Sequence, residues 1–128
     1  MSNDYQIGLT SGTLVNLTDD PYPVRTETER VGFTLSGSPI NVAMQVITWE
    51  WTNTSQEAWD QIISFWKDNI EAANPPPYIY IRSIREDGST FTYAVWRCKM
   101  GRPSSSVERT LAQIRDAEVS FYQCEVVI

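Results

Sequence analysis

Residues 78–100 read YIYIRSIREDGSTFTYAVWRCKM and contain the clearest pair of strands in the chain. Residues 78–84 and 91–100 are rich in aromatic and β-branched side chains that alternate along the chain, as in strands with one buried face. Between them lies Asp87-Gly88, a dipeptide that favours the positive φ angles of a tight hairpin turn. The stretch therefore predicts an antiparallel hairpin over residues 78–100.

A helix is predicted before this hairpin, over residues 54–72. Thr54 and Glu57 have the spacing of a capping box, in which each side chain accepts a hydrogen bond from a free backbone N–H. The proline run at residues 75–77 follows, and proline cannot continue a helix because it lacks the N–H donor. Apolar residues recur at the spacing of one helix face, which we expect to be buried. That face consists of Trp59, Ile62, Ile63, Trp66 and Ile70.

Further strands are predicted on both sides of the helix and hairpin. Residues 41–51 form a long alternating run, and residues 117–128 carry the final strand, which we expect to be central in the sheet. Residues 1–30 are rich in turn-forming residues. Short strands are expected at residues 14–17 and 31–35.

This order of elements predicts one mainly β domain over residues 1–128. A chain of this length buries roughly two thirds of its unfolded surface, which is enough for a core without disulfide bonds. We expect a small β-sandwich or barrel, flanked by a single amphipathic helix that covers its open side.

The charge of the chain is negative overall and unevenly distributed. The formal net charge is −6, so nucleic-acid binding is not expected as the main task. Residues 1–81 carry three basic and ten acidic side chains, whereas residues 82–115 carry seven basic and three acidic ones. Two interpretations stay open: a solvated surface, or complementary faces that meet when copies of the chain assemble.

The residue types of most catalytic and metal sites are missing from the sequence. The chain has no histidine, which excludes the commonest general base and the usual nucleophile pairs. Cys98 and Cys124 lack metal-ligand spacing, and we expect both to be buried thiols without a disulfide. We predict no cofactor, no metal and no catalytic residue. The N-terminus lacks the pattern of a secretory leader, and no stretch is long and apolar enough to span a membrane.

Two local clusters have the residue types of a functional site. Glu50, between Trp49 and Trp51, resembles a carboxyl group in an apolar pocket, with Asp60 as a second acid for glycoside hydrolysis. An exposed acid at a strand end is favoured, because nothing ties the two acids together. The second cluster consists of Trp49, Trp51, Trp59 and Trp66. It is either a sugar-stacking platform or core, and core is favoured.

Residues 101–106 predict a flexible loop, and the loop stretch 102–109 is flanked by positive charge. A solvated loop is the first interpretation, an arm that orders against a neighbouring subunit the second, and a phosphate-binding loop the third. The residues of the proposed arm, and hence of a subunit interface, are Arg102, Pro103, Ser104, Ser105, Ser106 and Arg109.

The assembled pattern resembles a known family. It comprises residues 47–51 (ITWEW) leading into the helix with residues 62–66 (IISFW), then the prolines, Asp87-Gly88, residues 93–96 (YAVW) and residues 117–121 (AEVSF). Residues 30–128 are similar in this order to minor-tail and distal-tail proteins of long-tailed bacteriophages, which share the tail-tube fold. The resemblance contains no catalytic motif.

The resemblance implies a structural subunit of the virion tail, assembled in the host cytoplasm. It implies a ring of copies, usually a hexamer, stacked on tail-tube, hub or tail-tip proteins, with DNA passing through the lumen. A distal tail protein, a tail-tip ring protein and a tube adaptor all remain open. The alternative function is a carbohydrate-binding module with exposed tryptophans, and a small hydrolase using Glu50 is a distant third.

Overall fold

The computed structural model describes residues 4–33, 39–87, 90–108 and 113–127, and over these the chain forms eight β-strands and one helix. The helix α1 (Gln56–Phe65) continues as a π-helical turn (Trp66–Ile70). The strands are β1 (Gln6–Gly8), β2 (Val15–Asn16), β3 (Val24–Phe33), β4 (Pro39–Ser55), β5 (Ile79–Asp87), β6 (Thr90–Met100), β7 (Ser104–Glu108) and β8 (Gln113–Val126). The prediction of a mainly β fold with one helix is confirmed.

The strands form one antiparallel sheet in the order β2-β1-β5-β6-β8-β4-β3, with β7 also paired to β8. The predicted hairpin is β5–β6, paired from Ile79 opposite Cys98 to Asp87 opposite Thr90. Residues 88 and 89 of its turn lie outside the described residues. The final strand, β8, is central as predicted, because it pairs with β4 on one side and with β6 and β7 on the other.

The sheet curls so that its two halves face each other. Two strands separate β4 from β5, which corresponds to about 14 Å in a flat sheet. Yet the Trp49 indole Nε1 of β4 donates to Ser83 Oγ of β5 at 3.0 Å. The curl remains open: in the described residues β2 and β3, at the two ends of the order, do not pair with each other. The barrel alternative is therefore wrong, and the fold is a curled open sheet.

The hydrophobic core lies inside the curl. It is built by alternate residues, such as Ile79 and Ile81 on β5 and Trp96 and Cys98 on β6. This alternation follows from the strand geometry, in which successive side chains point to opposite faces. Among the described residues the core also contains Tyr5, Ile7, Leu17, Ile47, Trp49, Trp51, Ala58, Trp59, Ile62, Ala94, Met100, Ile114, Ala117, Val119, Phe121 and Cys124.

Helix α1 covers the opening of the curl. Its Trp59 ring packs edge-on against Trp51 of β4, with the ring centroids 5.8 Å apart. Gln61 accepts from the backbone N–H of Thr18 and donates to the carbonyl of Asn16, which joins the helix to the β2 end of the sheet. The predicted apolar face is confirmed: Trp59 and Ile62 are buried, and the others are partly buried against the core, namely Ile63, Trp66 and Ile70.

The predicted helix start is wrong by two residues. Strand β4 continues to Ser55, which stays paired with Gln113 of β8. Ser55 is the N-cap, because its side chain accepts from the backbone N–H of Ala58. Thr54 is instead an extended, buried residue whose hydroxyl donates to Asp19 Oδ2 at 2.8 Å. The helical segment ends at Ile70 and does not reach residue 72.

Several strand boundaries also differ from the prediction. Strand β1 was missed within the turn-rich first 30 residues, β3 starts at Val24 and β4 extends over seventeen residues. The predicted loop at residues 101–106 is wrong beyond residue 103, because Ser104 begins β7. Pairing with β8 stabilises these extended serines, which have no strand pattern of their own.

Candidate subunit interface

The carboxylates considered for catalysis each have a separate partner. Glu50 forms an ion pair with Arg25 Nε at 3.2 Å, and its side chain is about a quarter exposed. Asp60 Oδ1 accepts from the Gln56 side-chain amide on α1 at 3.0 Å. Glu50 lies on the face of β4 opposite to buried Trp49 and Trp51, so it is not a carboxyl group inside an apolar pocket.

The two cysteines are free and buried, as the sequence predicts. They are also neighbours, which the sequence did not predict. Burial, together with the neighbouring Cys124 thiol, raises the pKa of Cys98 well above its ordinary value. The Cys124 thiol donates to the Phe121 carbonyl at 3.3 Å. In the described part of the chain, no group of three or more His, Cys, Asp or Glu residues is placed to hold a metal ion.

The tryptophan cluster belongs to the core. Trp49, Trp51 and Trp59 are at most 5% exposed, and neighbouring rings meet edge-on with interplanar angles of 84° and 70°. Trp66 is half-buried against the core. A sugar platform needs exposed, coplanar rings, and these three buried rings do not provide one.

The open edges of the sheet are the most prominent feature of the surface. Strand β3 pairs with β4 alone, β7 with β8 alone and β2 with β1 alone, over the residues described. Each therefore has a second edge whose backbone N–H and C=O groups have no strand partner. Strand β3, with ten residues, is the longest of the three.

The predicted interface arm lies at one of these edges. Ser104 and Ser105 are exposed in β7, and Ser106 follows them in the same strand, opposite Arg115 of β8. Pro103 is buried, and Arg109 lies outside the described residues. The segment is thus an edge strand from Ser104 onward.

Arg102 is exposed beside the end of the helix. Together with Pro103 it lines a cleft of about 220 Å³ whose other wall contains Trp66, Lys67 and Glu71. The sequence predicted neither this cleft nor the contact between the segment and the helix, because both depend on how α1 packs on the sheet.

An exposed tyrosine and lysine/arginine face was missed by the sequence analysis. Tyr78, Arg97, Lys99 and Tyr122 lie on the outer side of β5, β6 and β8, and the two tyrosines are 40% and 46% exposed. The Arg97 guanidinium lies 4.9 Å from the Tyr78 ring centroid. The alternation of side chains in residues 78–84 predicts a strand with two different faces, but it does not determine which face points outward.

Comparison with protein-family models, with curated proteins and with solved structures finds no match. Within the described residues, no helix has the length and apolar character needed to cross a membrane. The function is therefore inferred from the sheet edges and the surface chemistry of the chain itself.

Proposed function

We propose that this protein is a structural subunit of the tail of a long-tailed bacteriophage, where copies assemble into a ring around the DNA channel. The subunit is a distal tail, tail-tip ring or tube-adaptor protein. The resemblance over residues 30–128 supports this proposal, and so does an open, mainly β fold with one helix. The chain acts through its surfaces and has no enzymatic role.

The observation that carries the proposal is the outer edge of β3, which has no strand partner among the described residues. A ten-residue edge strand is a template for another strand, and soluble monomers normally shorten or cover such edges. Strand addition between copies pairs these backbone groups and repeats the same contact around a ring. The outer edge of β7 provides a second site of the same kind.

The negative charge of the chain fits a channel for DNA. A subunit with net charge −6 can present acidic residues to the lumen, so that the phosphate backbone is repelled and slides past. Mapping the charges of an assembled ring tests this point, and a basic lumen would contradict it.

The direct test is self-association of the purified chain. We expect sedimentation velocity to detect an oligomer that grows with protein concentration between about 1 and 200 µM, and negative-stain images to contain rings. A monomer at every concentration would refute the proposal.

Proline substitutions on β3 test the edge itself. Successive N–H groups of a strand point to opposite edges. One of the two variants Thr26→Pro and Glu27→Pro therefore removes an N–H directed at β4, and the other removes an N–H directed outward. The outward variant should keep most of the stability of the monomer and lose self-association. If neither variant changes assembly, β3 is not the contact.

A further inference from the structure

The outer face of β5, β6 and β8 combines tyrosines with positive charge. Tyr80 lies opposite Arg97 in the β5–β6 register, and Lys99 lies opposite Tyr122 in the β6–β8 register. Arg97 and Lys99 point outward because they alternate with buried Trp96, Cys98 and Met100. We call Tyr78, Tyr80, Arg97, Lys99 and Tyr122 the tyrosine–cation face.

This face has the composition of a protein contact surface. Tyrosine and arginine are enriched at interfaces, since they bury a large area and also offer polar groups. The Tyr78 ring lies under both cations, 4.9 Å from the Arg97 guanidinium and 5.9 Å from Lys99 Nζ. Arg97 is further held by Glu125 at 2.9 Å. These contacts restrain the Arg97 side chain before a partner arrives, which reduces the entropy lost on binding.

A cleft adjoins the tyrosine–cation face. It measures about 390 Å³ and is lined by Ile70, residues 75–77, Tyr78 and Lys99. The face is thus a shaped surface with a recess at one end, able to receive a side chain of a partner.

The chain itself carries a surface of complementary charge. The solvent side of α1 and its π-helical turn presents exposed Glu57, Asp60 and Asp68, and exposed Glu71 follows the turn directly. Lys67 is the basic residue of this helical segment, and Arg102 lines a cleft together with Glu71. The spacing of the acids places them along the side of the helix that faces away from the core. We call these four acids the acidic helix face.

The two faces are different surfaces, although the end of the helical segment at Ile70 borders the cleft beside Lys99. Helix α1 packs on the inner side of the curl through Trp59, whereas Arg97 and Lys99 point away from the inner side. A contact between two different surfaces is head-to-tail, so it continues from copy to copy and closes as a ring when the rotation allows.

We propose that the tyrosine–cation face binds the acidic helix face of a second copy of this chain. The inference rests on the proposed function, since it names one of the surfaces through which ring subunits meet. The acidic helix face gives the tyrosine–cation face a partner of opposite local charge on the chain itself, whereas a net charge of −6 gives no support for nucleic-acid binding. The contact adds to strand pairing at the sheet edges and determines which surface of one copy meets which surface of the next.

A charge exchange between two variants tests the contact. The first variant carries Arg97→Gln and Lys99→Glu, and the second carries Asp60→Lys and Asp68→Lys. Each alone should self-associate about tenfold more weakly than the wild type, because like charges then meet. An equimolar mixture should recover association, since each altered face meets a partner of opposite charge.

Lys67→Glu is the matched control, because it also reverses one charge on the helix. It makes the acidic helix face more acidic, so association should be unchanged or stronger. Circular dichroism verifies that all variants are folded. Raising salt from about 50 to 500 mM should weaken wild-type association about tenfold, which tests the contact without any variant.

The outcomes separate this inference from the proposed function. If the wild type forms rings and neither salt nor charge exchange changes the strength of association, the contact between the two faces is refuted but ring assembly is not. If Lys67→Glu weakens association as strongly as Asp60→Lys and Asp68→Lys, the sign of the charge is irrelevant and the inference is also refuted. A wild type that stays monomeric refutes both.

Discussion

Replacing Ser83 by alanine tests the curl of the sheet. Ser83 on β5 accepts a hydrogen bond from the Trp49 indole on β4 at 3.0 Å, although two strands lie between these elements in the sheet order. Both side chains are 0% exposed. In Ser83→Ala the indole N–H is left buried without its acceptor.

The cost of this change is set by the orphaned donor. A buried donor that loses its partner costs about 1–3 kcal/mol, and the removed hydroxyl no longer has to be desolvated, which offsets a part. We therefore expect the free energy of unfolding to fall by roughly 2 kcal/mol. With an m value of about 2 kcal/mol/M, the urea midpoint falls by roughly 1 M.

Urea denaturation followed by far-UV circular dichroism, at one fixed protein concentration, measures this effect. Ser64→Ala, on the exposed side of α1, is the matched control and should stay within about 0.5 kcal/mol of the wild type. In a Trp49→Phe background the cost of Ser83→Ala should fall by at least about 1 kcal/mol, because the donor is already gone. An equal cost in both backgrounds would refute the contact between β4 and β5.

Further predictions concern the helix cap, one glycine and the buried thiols. Ser55→Ala should destabilise the protein by about 1 kcal/mol through loss of the N-cap, and Ser55→Asp should retain most of the stability; equal urea midpoints for both would contradict this cap. Gly8→Ala should lower the free energy of unfolding by about 1–3 kcal/mol, because a Cβ at this position would lie 2.6 Å from the Thr13 carbonyl oxygen. Gly12→Ala is the control: a Cβ there meets nothing within 4 Å, so the urea midpoint should not change. The thiols of Cys98 and Cys124 should react with an aromatic disulfide reagent only after unfolding, and fast reaction of the native protein would contradict their burial. Because the Cys98 pKa is raised in the folded state, this group's contribution to stability is present below the ordinary thiol pKa of about 8.5 and is lost as pH rises above it.

Local patterns predicted the elements whose side chains alternate or repeat clearly. The hairpin over residues 78–100 and the helix face from Trp59 to Ile70 were both correct, because strand alternation and helix periodicity are properties of neighbouring residues. The helix start was missed because Thr54 and Ser55 are both good N-cap residues. The choice between them is made by β8, which holds β4 extended up to Ser55, opposite Gln113.

The edge strand β7 illustrates a different limit. Residues 101–106, with one glycine, one proline and three serines, have the composition of a loop. They form a strand from Ser104 because β8 offers a free edge beyond the end of β6. Such pairing joins residues far apart in the chain, so local composition does not determine it.

The amino-acid sequence alone determined the class of the fold, the buried face of the helix and the lack of a histidine-based active site, since each follows from residue type and short-range spacing. Only the tertiary structure decided that the sheet curls but stays open, that Trp49 and Trp51 are core, and that Tyr78, Arg97 and Lys99 share an exposed face. The physical reason is that burial, open edges and charged surfaces depend on which strands become neighbours. That choice is made by long-range pairing and packing across the whole chain.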